Sequence, residues 1–271
     1  MQALSERNWE RQVSEMVLSE REGALRILTL NRAERHNAMD DAMSALFQRL
    51  LGEALDEDTT NAVLIRAAGK SFCSGRDTSV LGHRARDESD FHFVRRAQEG
   101  RLRMQESTKP IVAALKGGVI GGGCELALAA DIRVADTTLK MALPEILYGV
   151  LPDTGGTQMM TALVGPSRTK YLVLTGRPID AATALEWGAV DFVVSPEELD
   201  ARALDIARDI AAKPPINLAM GKEMINLMHG PAIRTGTRAE LYAQSYLFQT
   251  EDYREARTAL RERRQPRYRG K

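Results

Sequence analysis

The chain lacks the disulfide and metal crosslinks that stabilise small proteins, and it lacks the apolar segments that direct proteins to membranes. Its 271 residues include 2 cysteines and 4 histidines, too few for a disulfide framework or a zinc site of four cysteines. No two histidines have the spacing that places both on one helix face, so we expect no bound metal. No run reaches the ~18 apolar residues that span a bilayer. The first 20 residues carry too many charges for a signal peptide, so we expect a cytoplasmic protein with reduced thiols.

An excess of charge of either sign is also missing. The 37 basic and 37 acidic residues cancel, which argues against a protein that binds nucleic acid or an anionic membrane through its net charge. Hydrophobic residues make up 44% of the chain and charged residues 27%, an ordinary composition for a globular protein. The length fits one large domain or two small ones and can bury a core without covalent staples.

Short apolar runs alternate with helical patterns over the first two thirds of the chain. The runs typical of strands lie at residues 24–30, 62–67, 111–115, 131–135 and 190–194. Asp40 is placed to cap a helix that follows the first run. The apolar face of that helix carries Met43, Leu46, Phe47, Leu50 and Ala54. Strands separated by helices predict an α/β domain whose sheets are covered.

The pattern changes after residue 196. Residues 197–213, 216–228 and 237–264 are typical of helices, with breaks expected at Pro214-Pro215 and Gly230-Pro231. We therefore predict a core at residues 1–195 and a helical region at residues 196–271. That region is too small to hold a large core alone, so it should pack on the core or on another subunit.

Two glycine-rich segments are candidates for binding a ligand through the backbone. In residues 69–77, a strand leads through Gly75 to Asp77, which suits a helix N-cap. In residues 117–131, glycines precede Glu125 at the start of a helix, where bare amides can hold a developing oxyanion. Lys116 precedes these glycines instead of following them, so the segment is not a phosphate-binding P-loop. The alternative for residues 69–77 is a plain βα turn without a ligand. The alternative for residues 117–131 is that the glycines only allow close helix packing.

A third segment, residues 143–157, carries two acidic residues beside prolines. Glu145 follows Pro144 and lies among apolar neighbours, and Asp153 follows Pro152. Partial burial of such a carboxyl raises its pKa toward values useful for proton transfer. The alternative is an exposed glutamate in a loop.

Together these segments resemble the crotonase superfamily, the enoyl-CoA hydratase/isomerase family. The resemblance covers most of the chain, and the order and spacing of its motifs are specific. The matching segments are residues 31–38, 71–77, 109–114, 121–131, 144–145, 174–177, 184–190 and the Glu-Arg-Arg before Pro266. It implies a spiral of ββα units that forms two sheets, with C-terminal helices that assemble a homotrimer or a hexamer of two trimers.

The resemblance also implies a site for an acyl-CoA thioester, with no cofactor besides the coenzyme A of the substrate. The oxyanion-hole donors would be the backbone amides of Arg76 and Gly122. Glu125 would activate the water that attacks Cβ, and Glu145 would transfer the proton at Cα. The remaining residues expected to contact the substrate or its coenzyme A are Arg35, His36, Ala38, Ser74, Gly75, Asp77, Gly121 and Asp153.

This sequence departs from common hydratases at two positions. Arg76 stands where a small residue is usual, and its side chain would reach toward the coenzyme A phosphates or narrow the acyl pocket. Asp153 stands where many hydratases have glycine, in a form that resembles carnitinyl-CoA dehydratases. It has either a structural role in a turn or a role in binding a polar or cationic acyl tail.

Other chemically active side chains are expected to have ordinary roles. Cys73 and Cys124 should pack as small apolar groups. His83 and His92 should be exposed to solvent or belong to a segment that covers the acyl chain. The segment at residues 81–98 has no clear periodicity and is expected to be a mobile cover over the acyl chain.

The predicted function is that of an enoyl-CoA hydratase, or of a related acyl-CoA dehydratase such as carnitinyl-CoA dehydratase. The alternative is an enoyl-CoA delta isomerase or another enzyme that stabilises an enolate, which Arg76 and Asp153 would favour. A non-catalytic RNA-binding relative is a third reading. It is disfavoured because Arg49 is the one basic residue in the first predicted helix and the net charge is zero.

Overall fold

The computed structural model describes residue 13, residues 15–82 and residues 87–271. The strands are β1 Val17–Glu22, β2 Leu25–Leu30, β3 Ala62–Ala67, β4 Ile111–Leu115, β5 Gly118–Ile120, β6 Ile132–Asp136, β7 Lys140–Ala142, β8 Ile179–Asp180 and β9 Phe192–Val194. The helices are α1 Asp41–Asp56, α2 Asp90–Glu106, α3 Gly122–Leu128, α4 Gly156–Val164, α5 Pro166–Thr175, α6 Ala181–Trp187, α7 Leu199–Ala211, α8 Pro215–Leu247 and α9 Glu251–Glu262. This part of the chain is an α/β structure, as the sequence predicted.

The larger sheet has six strands in the order β1-β2-β3-β4-β6-β9. β1 and β2 are antiparallel, and all other neighbouring pairs are parallel. In register, Leu25 pairs with Ala62 and Val63 pairs with Ile111. Every residue of β4 is buried, because a parallel strand in the middle of a sheet is covered on both faces.

Alternate residues of each central strand enter two separate apolar clusters. Val63 and Ile65 of β3 face the larger cluster, which includes the buried face of α1. Leu64 faces the smaller cluster, in which α7 packs across β2, β3, β4 and β6. The first helix of the C-terminal region therefore covers one face of the main sheet.

The second sheet positions the glycine-rich segments. Its three strands have the order β5-β7-β8. An isolated bridge joins Cys73 to Val119, and another joins Met39 to Arg76. These bridges bring the chain that leaves β3 alongside the end of β5, where α3 begins. The two glycine-rich segments therefore meet, although they are far apart in the sequence.

The expected helix break at Gly230-Pro231 is wrong. Helix α8 runs unbroken from Pro215 to Leu247, with Pro231 inside it, and the chain turns at residues 248–250 instead. A proline inside a helix removes one hydrogen bond and costs about 3 kcal/mol or more. Contacts on both sides of Pro231 hold the helix together, since buried Lys222 lies before it and buried Thr237, Glu240 and others lie after it.

Strand β1 is absent from the sequence prediction. Val17 is buried, and the other residues of this edge strand are exposed, so its sequence has no alternating apolar pattern to reveal it. The Asp40 cap is confirmed, since its carboxylate accepts the Met43 amide at 2.9 Å. None of the helices in the described part of the chain is long and apolar enough to cross a bilayer.

The Lys222→Met substitution should destabilise the protein strongly. The Lys222 ammonium lies 2.7 Å from the Asp131 carboxylate and donates to the carbonyl oxygens of Met104 and Lys109, with 6% of the side chain exposed. Removing one partner of a buried ion pair costs about 3–5 kcal/mol, which urea-induced unfolding will measure. The control Lys213→Met breaks an exposed ion pair and should cost at most about 1 kcal/mol. An equal decrease in the free energy of unfolding in the two variants would show that the buried Lys222–Asp131 ion pair does not anchor α8 to the core.

Candidate active site

A pocket of about 250 Å³ opens where the two glycine-rich segments meet. Its walls come from α1, the segment after β3, α2, the start of α3, the segment at residues 144–154 and the C-terminal helices. Of the predicted site residues, those in its lining are Ser74, Gly75, Arg76, Gly121, Gly122, Glu125, Glu145 and Asp153. The fold therefore brings eight predicted residues, from three distant segments, to one cavity.

The backbone amides of Arg76 and Gly122 line this pocket from neighbouring segments. Gly75 has a φ of +87°, and a β-carbon there would lie 2.7 Å from the Ile120 carbonyl oxygen and 3.3 Å from the Gly122 nitrogen. Only glycine allows this approach. Among the residues that the structure describes, no acceptor bonds either the Arg76 or the Gly122 amide. Two amide donors are thus available to an oxygen atom in the pocket.

Glu125 is held by backbone amides. It lies in the first turn of α3 and is 2% exposed. Its Oε1 atom accepts the amides of Thr154 at 2.8 Å and Gly156 at 3.1 Å. Two amides on a single oxygen fix the direction of the carboxylate.

Glu145 enters the pocket from a short 3-10 turn, Glu145–Tyr148, that follows Pro144. A β-carbon at Gly121 would lie 3.0 Å from its Oε1 atom, so the carboxyl lies against the start of α3. Its Oε2 atom is enclosed and has no hydrogen-bond partner in the described residues. Burial, together with the charge of Glu125, raises the pKa of Glu145 well above its ordinary value. The two glutamates therefore have different surroundings: backbone amides orient Glu125, whereas burial disfavours the charged form of Glu145.

The Arg76 side chain forms part of the pocket wall. Its Nη1 atom lies 2.6 Å from the Asp41 carboxylate, and its guanidinium stacks 5.5 Å from the centre of the Phe93 ring. Both roles expected for this side chain, a contact with the coenzyme A phosphates and a narrower acyl pocket, stay predictions. Its Nη2 atom is enclosed without a hydrogen-bond partner among the residues described.

Arg101, which is buried, and Asp153, which is half-buried, are two further charged residues in the pocket lining. Burial raises the pKa of Asp153 to about 8, and the Glu125 charge adds to this effect. Arg101 donates to the Gly122 carbonyl oxygen at 3.2 Å, next to the predicted oxyanion donor. Arg101 is not among the residues predicted from the sequence, because an arginine among several others in the polar helix α2 has no distinguishing signal.

The remaining predicted site residues lie outside the pocket lining. His36 bonds to the Ser71 hydroxyl through Nδ1, and Arg35 is exposed in the preceding turn. The Ala38 carbonyl oxygen and the Asp77 carboxylate both accept hydrogen bonds from the Arg32 guanidinium. Asp77 also caps the turn at residues 78–80, as the sequence predicted. Contacts of these four residues with coenzyme A stay predictions.

The cysteines pack as the sequence predicted. Cys73 and Cys124 are buried in the larger apolar cluster, and burial raises the pKa of Cys73 to about 11. His92 bonds to Ser89 at the start of α2, and His83 lies outside the described residues. The second half of the predicted mobile cover is helical, because α2 begins at Asp90.

Two acids in and beside the pocket, Asp153 and Glu240, should make stability fall as the pH rises from about 4 to about 8. Burial raises the pKa of Asp153 to about 8 and that of Glu240 to about 8. The folded protein therefore keeps protons that the unfolded chain releases above about pH 4. The stabilisation is complete below that pH and is lost as the pH approaches about 8.

The Asp153→Asn variant tests this pH dependence. Its free energy of unfolding, relative to the wild type, should increase with pH between about 4 and about 8, since asparagine does not titrate. Urea-induced unfolding across a pH series measures this difference, with the exposed Asp58→Asn substitution as the control. A difference that does not vary with pH would contradict the expectation.

Comparisons with known proteins agree with this geometry. Residues 20–271 match the family model for enoyl-CoA hydratase/isomerase. The chain is 35% identical to a short-chain-enoyl-CoA hydratase of Clostridium acetobutylicum, over 92% of this chain and 95% of that protein. It is 33% identical to a 1,2-epoxyphenylacetyl-CoA isomerase of Escherichia coli, over 95% of this chain and 99% of that protein. A crystal structure of carnitinyl-CoA hydratase from Mycobacterium avium superposes with a TM-score of 0.84 at 28% identity, covering 95% and 99% of the two chains.

Proposed function

The chain belongs to the enoyl-CoA hydratase/isomerase family and has the crotonase fold, and from this premise we propose that it reversibly hydrates a trans-2-enoyl-CoA to a 3-hydroxyacyl-CoA. The observation that carries the proposal is the pair of glutamates, Glu125 and Glu145, in one pocket with two backbone amides that no described residue accepts. A dehydratase acting on a related acyl-CoA, such as carnitinyl-CoA, would use the same groups.

The two amides would bind the thioester carbonyl oxygen. Addition of water at Cβ moves electron density onto that oxygen and forms an enolate. The amides of Arg76 and Gly122 are fixed by the backbone, so they stabilise this charge without having to reorganise. A cofactor is not needed for this chemistry, since coenzyme A is part of the substrate.

The two glutamates would divide the proton transfers. Ionised Glu125 takes a proton from water as the water oxygen bonds to Cβ, and protonated Glu145 gives its proton to Cα. The product gains one hydroxyl and one hydrogen, and a proton must then pass from Glu125 to Glu145 to complete the cycle. The raised pKa of Glu145 and the two amides on Glu125 support this assignment.

The direct test is the hydration of crotonyl-CoA by the wild-type protein. Loss of the ultraviolet absorbance of the conjugated thioester, with 3-hydroxybutyryl-CoA identified as the product, would support the proposal. Binding of crotonyl-CoA without hydration would count against it. The values of kcat/KM for a panel of longer, branched and cationic enoyl-CoA substrates then show which acyl chain the protein prefers.

A double-bond isomerase is the second candidate. Asp153 places a third acid in the same pocket, with its pKa raised to about 8, so a proton could be moved between Cα and a more distant carbon. Deuterium exchange at Cα and migration of the double bond, without addition of water, would favour this function. Addition of one water for each substrate consumed would exclude it as the main activity.

We also propose that the protein forms a homotrimer or a pair of trimers. Helix α8 exposes large apolar side chains, and 72% of Ile216, 68% of Met224 and 78% of Met228 are accessible in the single chain. Such a surface is typical of a protein interface. The division into residues 1–195 and 196–271, and a cytoplasmic location, stay predictions.

A further inference from the structure

Four consecutive backbone amides at the start of α4 are shared between two carboxyl groups. Glu125 accepts the amides of Thr154 and Gly156, at 2.8 and 3.1 Å. Glu240 accepts the other two amides, that of Gly155 at 2.8 Å and that of Thr157 at 3.3 Å, so that the two glutamates alternate along the turn. The turn at residues 154–157 is therefore held from one side by a glutamate of the pocket and from the other by a glutamate of α8.

Neighbouring side chains attach the same segment to α8. The Gln244 side chain, one helical turn after Glu240, accepts the Leu151 amide at 3.1 Å. Gln98 of α2 donates to the carbonyl oxygens of both Asp153 and Thr237, each at 2.7 Å. Because Thr237 and Gln244 flank Glu240 on α8, one buried face of this helix fixes residues 151–157.

Close packing leaves this turn little freedom. Gly155 has a φ of +94°, and a β-carbon there would lie 3.0 Å from the Thr237 hydroxyl. A β-carbon at Gly156 would lie 2.8 Å from the Glu125 Cγ atom. A displacement of the turn would therefore move the amides that orient Glu125, and a 1 Å error in a reacting group can cost about 10²-fold in rate.

The burial of Glu240 is unfavourable for a carboxyl group. It is 6% exposed, and burial together with the charge of Glu125 raises its pKa to about 8. Burial of a carboxyl costs desolvation free energy that an apolar residue of similar size avoids. Stability alone therefore does not explain a carboxyl at this position, whereas its two hydrogen bonds to the turn do.

We propose that Glu240 is a positioning residue, which orients Glu125 toward the attacking water through the turn at residues 154–157. This inference rests on the proposed hydratase function. It makes the C-terminal helical region part of the active site, although Glu240 itself is not in the pocket lining. The step it serves is the attack of water on Cβ, since no hydrogen bond within the described residues links Glu145 to this turn.

The experiment compares Glu240→Met, which removes both acceptors but keeps the volume, with Glu240→Gln, which keeps one acceptor. Ser245→Ala is the control, because the Ser245 hydroxyl donates within α8, to the Leu241 carbonyl oxygen, and is not part of the face that holds the turn. Two reactions are measured well below pH 8, where Glu240 is mostly protonated. Hydration of crotonyl-CoA needs both glutamates, whereas deuterium exchange at Cα of butyryl-CoA needs Glu145 and the two amides.

For Glu240→Met we expect kcat for hydration to fall by about 10- to 100-fold. KM and the rate of Cα exchange should each stay within about threefold of the wild type. Glu240→Gln and Ser245→Ala should stay within about threefold in both reactions, and Glu125→Gln should show the pattern of Glu240→Met in a stronger form.

Equal losses of hydration and exchange in Glu240→Met would indicate general distortion of the pocket and would overturn the inference. Undiminished hydration would overturn it as well. If Glu240→Met does not fold, Glu240→Asp replaces it. This variant keeps the carboxyl group but withdraws it from the turn, and it should lose hydration while Glu240→Gln does not. A wild-type protein that exchanges butyryl-CoA without hydrating crotonyl-CoA would instead contradict the proposed function.

Discussion

Glu145→Gln is expected to lower kcat for hydration of crotonyl-CoA by about 10²–10⁴-fold, the range typical of a lost general acid. Glutamine has nearly the shape of a protonated glutamic acid but cannot give up a proton to Cα. The Oε2 atom of Glu145 is enclosed without a hydrogen-bond partner among the described residues, so the proton it holds is not committed elsewhere. Substrate binding should change little, because both oxyanion donors remain.

Stability measurements separate this loss from misfolding. Burial and the Glu125 charge disfavour an ionised Glu145, so a neutral glutamine should leave the melting temperature unchanged or raise it. The control Glu186→Gln changes an exposed glutamate and should alter neither activity nor stability. Steady-state kinetics and thermal unfolding give both values. A Glu145→Gln variant with more than about a tenth of wild-type kcat would show that another group supplies the proton.

Gly122→Pro is expected to lower kcat/KM by about 10²–10³-fold, the cost of losing one oxyanion donor. Gly122 is the first residue of α3, a position at which proline is well tolerated, because its amide has no partner within the helix. The substitution therefore removes the donor with little cost to the helix. KM should change less than kcat, since the charge on the thioester oxygen is greatest in the transition state.

Gly122→Ala is the matched control for this loss. A β-carbon at position 122 has one close neighbour, the Gly75 Cα atom at 4.0 Å, which is an ordinary contact distance. The amide is retained, so activity should stay within about threefold of the wild type, given that one lost donor costs at least about 10²-fold. Equal activities of the proline and alanine variants would show that the Gly122 amide does not bind the thioester oxygen.

The parts of the structure that the sequence predicted correctly depend on local signals. Strands β3 and β4 are short apolar runs, and they form where that pattern placed them. The Asp40 cap depends on contacts within a single helical turn. The glycines before Glu125 and the prolines around Glu145 identified the segments that reach the pocket, because bare amides and apolar neighbours are visible in the sequence itself.

The parts that the sequence did not predict depend on contacts between distant segments. Helix α8 continues through Pro231 because buried side chains anchor it on both sides, and no local pattern reports this. Arg101 and Glu240 lie in helices with many charged residues, so their burial cannot be seen before the chain folds. Glu240 is 85 positions from the amide of Gly155 that it accepts.

Isotope incorporation during hydration tests the central claim most directly. Crotonyl-CoA is incubated with the wild-type protein in deuterium oxide that also carries an oxygen label, and the 3-hydroxyacyl product is analysed by mass spectrometry and NMR. We expect solvent oxygen at Cβ and one deuterium at Cα in each molecule of product. Deuterium at Cα of recovered crotonyl-CoA, with no solvent oxygen at Cβ, would contradict the assignment of Glu125 and Glu145 as a hydrating pair.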